Sequence, residues 1–398
     1  MSVDGGRITG VGEASERFSG RSSATRDLGR VALLPGLINA HTHLELSWLK
    51  DRVPPAASFI AWVTQLFAVR GASLERLGDA RVREAADAAV LEARESGTIA
   101  VGDISNSLAS IAAIAAGGLD GLVFHELLGF ADETDRRVAE TRPSRESLPA
   151  CSAVRISVAP HAPYSVSREL FQAIRAEVDG SGVPITSVHV GESTEEMEMM
   201  RRGTGPWPGL LKLIGAWREG WEPPGVGPVE FLDDLGMLDE RTLVVHGVQL
   251  DDRALARLVR RGCTLVTCPR SNQWVGVGAP PIGRFYESGV RVAVGTDSLA
   301  SVADLNVFAE LAAMRWLAPS VPAARFLESA TRIGAEALGL GHELGTIAVG
   351  KRAALIAVDV PARITDVEEY LVSGIEPRQV QWVRIPEEQH EDHEGHEG

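Results

Sequence analysis

The stretch LLPGLINAHTHLELSWL, residues 33–49, runs apolar through its first half and then sets His41 and His43 one residue apart. Extended backbone sends alternate side chains to one face, so both imidazoles leave the end of a buried strand together. Two imidazoles placed that way suit a metal ion. A lone His-x-His also arises by chance, so its meaning depends on what the rest of the chain brings to the same place.

Outward from that run, short apolar and β-branched segments recur. Strands are expected near 33–40, 98–103, 121–126, 154–160, 185–190, 242–246, 264–268 and 291–297. Helical patterns lie between them, as in residues 73–97 and 167–182, each ending in Gly after a polar turn. Eight parallel-type strands alternating with helices predict an α/β fold, a (β/α)8 TIM barrel over 33–342, ahead of an open doubly wound sheet. Residues 1–32 and 343–385 do not fit the barrel. Their GGRITGVG and ELGTIAVGKRAALIAVDV read as strands and turns that pair into a small flanking β-sandwich joining both chain ends. The Gly-, Pro- and Trp-rich segment 201–228 falls between the fifth and sixth strands, as a lid over a substrate or as a surface excursion. The acidic tail 386–398 has no core residues and is expected to be disordered.

Composition narrows the class. A chain of 398 residues with 44% hydrophobic and 23% charged residues has ample core for a large globular protein. A formal net charge of -15 argues against a nucleic-acid surface, which needs clustered Lys and Arg. Cys151, Cys263 and Cys268 are odd in number and lack a Cys-x-x-Cys, so a reduced, cytoplasmic setting is expected. No apolar run reaches membrane-spanning length and no leader-like apolar region precedes the first strand. The expected partner is a small molecule, with no nucleic acid and no membrane; homo-oligomerisation stays open.

On this scheme the polar residues gather at one place. Strand one ends in His41 and His43, strand four in His161, strand five in His189, strand six in His246 and strand eight in Asp297. Barrel active sites lie at the C-terminal face, where strand ends converge. One such histidine is ordinarily a hydrogen-bonded core residue. Five with a carboxylate are poorly explained by packing, because buried polar groups need partners.

The stretches PGLINAHTHLELS, APHAPYSVS, SVHVGES, LVVHGVQL, CPRSN and VGTDSLAS, in that order, resemble the amidohydrolase superfamily from Gly6 to about Asp359. Within it the chain looks most like the cytosine deaminase and chlorohydrolase branch, which includes S-adenosylhomocysteine and aminodeoxyfutalosine deaminases. Glu45, two residues after the second histidine, looks most like the latter. The resemblance implies one divalent metal ion held by His41, His43, His189 and Asp297, and that donor set suits Zn or Fe. Relatives with two metals carry a lysine where this chain has His161, so a mononuclear site is expected. By the same resemblance Glu192 is the proton donor, and His246 and Asp297 orient a water and help to deprotonate it.

His161 and Tyr164 then fall at a substrate-contacting position, with a structural role for His161 the alternative. His125 and Glu126 end strand three, as pocket wall or support, and Glu126 is carried forward as a substrate contact. Arg270 would pair with a substrate carboxylate, while Asn272 holds the loop. Trp48, Trp62, Trp207 and Trp274 stack on a base or simply pack. The expected activity is metal-dependent hydrolytic deamination of an aminopurine nucleoside or related heterocycle, aminodeoxyfutalosine-like, with release of ammonia. Hydrolysis of another bond, in a chloro-triazine, guanine-like ring or cyclic amide, shares the same motifs. A non-enzymatic metal-binding scaffold is the third reading. No His-Glu-x-x-His helix, P-loop or Pro-Cys-x-x-Cys is present. Two departures touch only the flanking sandwich. The start MSVDGGRITGVG is short, so either the sandwich is reduced or translation begins earlier; and Ala353 and Ala354 replace the usual Ala-Asp.

Overall fold

A computed structural model of the protein describes residues 1–13, 25–131, 136–149 and 151–384. The hairpin β1 (Ser2–Asp4) and β2 (Arg7–Gly10) opens it. The apolar run after it forms two strands rather than the expected one, β3 (Val31–Pro35) and β4 (Leu37–Thr42). Gly36 separates them. A Cβ there would lie 2.7 Å from Ile99 Cβ, so only glycine lets the chain pass between the two sheets at this point.

Two four-stranded parallel sheets follow. The first has the order β4, β5 (Thr98–Ser105), β6 (Asp120–Leu127), β7 (Val154–Pro160), and the second β8 (Thr186–Val190), β9 (Thr242–His246), β10 (Thr264–Thr267), β11 (Arg291–Val294), reversed as β11-β10-β9-β8 along the sheet. Every residue of β4, β5, β6, β8, β9 and β10 is buried, as expected for parallel strands covered on both faces. Hydrogen bonds cross both gaps between the sheets. At one, the His189 amide donates to the His161 carbonyl at 2.9 Å and Thr186 Oγ1 to the Val158 carbonyl at 2.9 Å. At the other, the Asp297 amide donates to the His41 carbonyl at 3.1 Å, and Asn39 and Thr296 exchange two bonds. The C-terminal ends of first and last strands are thereby neighbours.

The helix α1 (Phe59–Glu95), capped by Ser58, begins well before the expected 73–97. Its added N-terminal turns read FIAWVTQLFAV, apolar on more than one face, and so lack the amphipathic period that marks a surface helix. The helix α2 (Arg168–Asp179) falls within the expected 167–182, with Ser167 as cap. After β8 come α3 (Thr194–Arg202), capped by Ser193, and α4 (Trp207–Leu213), which occupies part of the segment 201–228. Near the C-terminus, β12 (Leu355–Asp359) pairs antiparallel with both β3 and β13 (Val380–Trp382), and Arg7 of the hairpin bridges to Arg352. The expected disordered tail lies outside the described residues. No helix among the described residues is long and apolar enough to cross a membrane.

Candidate metal centre

His41 is the innermost group. Its side chain is fully buried, and neither ring nitrogen has a hydrogen-bond partner. An imidazole in that state is costly unless something else satisfies it. His43 and His189 surround it, each with a ring centroid 5.0 Å from that of His41, and His246 follows at 5.7 Å. Asp297 Oδ1 lies 3.5 Å from His43 Nε2 and 3.9 Å from His41 Nε2. β11 stops at Val294, three residues before Asp297. Gly295 packs directly on the His41 backbone, where a Cβ would fall 2.6 Å from the carbonyl oxygen, and Asp297 takes a left-handed backbone with φ 61°. His246 does the same with φ 75°. Left-handed backbone at non-glycine residues costs about 1–3 kcal/mol and gathers at functional sites.

Hydrogen bonds assign the protons. The His161 carbonyl accepts from His189 Nδ1 at 2.9 Å, leaving Nε2 of His189 as a lone-pair donor. Asn272 Nδ2 donates to His246 Nδ1 at 3.0 Å, so the His246 proton sits on Nε2, 3.6 Å from Glu192 Oε1. Among the described residues three groupings of donor atoms are tight enough to hold a cation: His41–His43–Asp297, His41–His189–His246 and Glu126–His161–His189. The protonated Nε2 of His246 disfavours the second as written. In the third, His189 approaches Glu126 at 3.6 Å through Nδ1, which is already given to a carbonyl. What remains of the three is His41–His43–Asp297, with the His189 ring packed against His41 and His43 and with His246 as a hydrogen-bond donor beside it. Burial keeps all these imidazoles neutral: it lowers His41 and His246 well below the usual histidine range and His189 to about 4. Asp297 is held by Ser271 Oγ at 2.5 Å, Ser301 Oγ at 3.3 Å and the Ser298 amide at 2.8 Å.

Glu192 is buried beside this set. Burial, with the Asp297 charge adding to it, pushes its carboxyl well above the usual range. Its backbone is fixed by Glu196, whose carboxylate accepts the Gly191 and Glu192 amides at 2.9 and 3.0 Å. A second buried carboxylate, Glu45, accepts from Ser105, Ser107 and the Asn106 amide. Burial alone would raise its pKa, yet those bonds outweigh it and hold the group below the usual range. The loop it holds aims Asn106 Nδ2 at Glu126 Oε2, 3.0 Å away, while Glu126 Oε1 has no partner. His161 Nδ1 meets Ser165 Oγ at 2.5 Å, and Ser165 itself donates to the Ala162 carbonyl. His161 Nδ1 therefore carries the proton, and Nε2 is an acceptor.

These groups open on one cavity of about 650 Å3, walled by His161, Tyr164, Glu126, Glu192, Trp62 and Trp207 among others. Tyr164 and Trp207 stack with centroids 4.0 Å apart. The segment 201–228 contributes α4, so it forms part of the cavity wall. A smaller hollow beside Arg218 and Trp221 holds none of the metal-centre groups. Trp48 and Trp274 pack in the apolar cluster next to the cavity, and His125 bonds to the Asn106 carbonyl.

Arg270 corrects the expectation made for it. Its guanidinium is bound bidentately by Asp304 at 2.8 and 3.0 Å, with Glu310 3.6 Å away, and it is absent from the cavity wall. A cation so matched, away from the cavity, is not placed to meet a substrate carboxylate. Asn272, by contrast, bonds to His246 rather than only bracing its loop. Sequence reasoning passed over Glu196, Asn106, Ser271 and Arg70. Glu196 has a visible signal: it stands three residues after Ser193, the spacing of a helix-capping pair.

A family model described as the amidohydrolase family matches residues 32–383. The chain is 32% identical over 347 residues to an aminodeoxyfutalosine deaminase of Deinococcus radiodurans, covering 85% of this chain and 80% of that one. Among solved structures it is similar to an aminofutalosine deaminase of Helicobacter pylori in complex with methylthio-coformycin, with 26% identity, TM-score 0.76 and coverage of 89% and 84%. It is also similar to an adenosine deaminase of Xanthomonas campestris with bound zinc, with 28% identity, TM-score 0.75 and coverage of 88% and 78%.

Proposed function

Because the chain belongs to the amidohydrolase family, we propose that it is a metal-dependent hydrolytic deaminase of an aminopurine nucleoside, aminodeoxyfutalosine-like, that releases ammonia. It is a hydrolase acting on carbon–nitrogen bonds, as its deaminase relatives imply. Its two parallel sheets are halves of one (β/α)8 barrel over 33–342, a reading supported by the bonds across both gaps. The hairpin and the antiparallel sheet make the flanking sandwich of 1–32 and 343–385.

The observation that carries the function is His41: a fully buried imidazole with both nitrogens unpartnered, ringed by two more imidazoles and a carboxylate. His41, His43, His189 and Asp297 would hold one divalent ion, Zn or Fe by the chemistry of the donors. When bound, such an ion supplies Lewis acidity and brings the pKa of a water from about 16 to about 7.

The remaining chemistry belongs to the chain. His246 Nε2–H orients the attacking water, and Asp297 accepts its proton as oxygen bonds to the ring carbon that bears the amine. Glu192, kept protonated by burial, delivers a proton to the neighbouring ring nitrogen. The proton held by Asp297 passes to the departing amine, the carbon–nitrogen bond breaks as the hydroxyl proton of the intermediate returns to the ionised Glu192, and ammonia leaves a carbonyl product. His161 Nε2, Glu126 Oε1 and the Tyr164–Trp207 stack bind the nucleoside around that carbon.

The test is metal content followed by ammonia release across aminodeoxyfutalosine, methylthioadenosine, S-adenosylhomocysteine, adenosine, guanine and cytosine. Release from the aminopurine nucleosides is expected. Silence on every amine, with turnover of a chloro-triazine or cyclic amide, would overturn the reading.

A further inference from the structure

One face of α1 lines the cavity. Phe59, Trp62, Val63, Leu66, Phe67 and Arg70 recur at intervals of three and four, so the wall changes from aromatic and aliphatic side chains to a cation along about three helical turns beyond Phe59. Three apolar residues shared by cavity and solvent surround this region: Phe67 at 42% exposure, Leu128 at 42% and Ile214 at 51%. Arg70 is half-buried and forms no hydrogen bond or ion pair with any of the described residues. Several arginines elsewhere are matched: Arg145 to Glu177, Arg175 to Asp179, Arg257 to Asp233, Arg270 to Asp304. Arg137, the other arginine on the wall, is already engaged.

We infer that Arg70 anchors an anionic group, a carboxylate by its fit to the guanidinium fork, borne at the end of an apolar substituent of the substrate. The inference rests on the deaminase reading for where the amine-bearing ring sits. The inner cavity carries the carboxylates of Glu126 and Asp297, which repel a substrate anion, while Arg70, alone among the unmatched described groups on the wall, attracts one. A planar guanidinium binds a carboxylate through two parallel bonds, and the apolar rim covers the connecting part of the substituent. A neutral substituent would leave the cation with nothing to bind.

Two adenosine thioethers test this, one bearing a carboxyphenyl and the other a carbamoylphenyl group at the ribose 5′ position. They share shape and ring and differ in charge. Steady-state ammonia release and calorimetric Kd are measured for both with the metal-loaded enzyme. The wild type is expected to favour the carboxylate by about tenfold or more. Arg70→Met should remove most of that preference through KM, and Arg70→Lys, which keeps the charge without the fork, should retain part of it. No preference in the wild type, or equal losses on both probes in Arg70→Met, would overturn the anchor. Binding of both without ammonia from either would sink the deaminase reading instead, and the ratio of Kd values would still decide Arg70.

Discussion

Asp297 and His41 meet at backbone and side chain, with a hydrogen bond only at the first. The Asp297 amide donates to the His41 carbonyl at 3.1 Å, and Asp297 Oδ1 lies 3.9 Å from His41 Nε2. Backbone pairing between the first and last strands thus sets the distance between two proposed ligands. His41→Ala should leave the strands paired and empty the site. We expect near-zero bound metal by mass spectrometry and activity reduced more than about a hundredfold, beyond the 10–100-fold typical of supporting groups. A variant that keeps a full equivalent of metal would remove His41 from the ligand set.

Glu192→Gln separates proton delivery from ion binding. The amide cannot donate a proton, yet the Glu196 clamp holds the residue's backbone as before. Metal content should stay near one equivalent while kcat falls by about two to four orders of magnitude. Wild-type kcat in this variant would contradict the role.

Ser271→Ala removes the 2.5 Å bond to Asp297 Oδ2 without touching a proposed ligand. Groups that orient ligands commonly contribute 10–100-fold to metal affinity, so a weakening of about that size is expected in a chelator competition. Unchanged affinity would assign the serine to packing alone.

Asp103 gives a pH signature of stability. Burial pushes its carboxyl up to about 8, against the Leu44 amide and the Ser110 hydroxyl, which favour the charged form. The folded protein therefore holds a proton that the unfolded chain releases near pH 4. This contribution is full below about pH 4 and is lost as pH rises through about 8. Asp103→Asn keeps an acceptor for Leu44 and does not titrate. Its thermal stability should gain on the wild type steadily between pH 4 and 8, then level off. Parallel melting curves across that range would refute the assignment.

The sequence carried the strand ends well, for a physical reason. A buried parallel strand is a nearly unbroken apolar run, so the histidine that ends it stands out, as at His189 and His246. The β3–β4 division was hidden, because Gly36 looks like any strand glycine until Ile99 is placed against it. Arg270 was misread for a related cause: Asp304, which binds it, is remote in the chain, and nothing local to Arg270 announces the pair. Arg70 shows the converse. It lies ahead of the helix expected over 73–97 and belongs to no motif, and only the approach of α1 to the cavity turns it inward. Glu45 was noticed through its place in HTHLELS, whereas its task of holding the 105–107 loop depends on a strand some sixty residues on.

The left-handed turn at Asp297 also has a bearing on the order of events in the cell. Ligands before residue 50 wait for one that is made after nearly three quarters of the chain, and that ligand takes its place only when β11 docks beside β4. With the proposed ligands, complete coordination of an ion would therefore be among the last acts of biosynthesis. A nascent chain halted ahead of β11 is expected to emerge without cargo, however much of the first sheet it has already assembled.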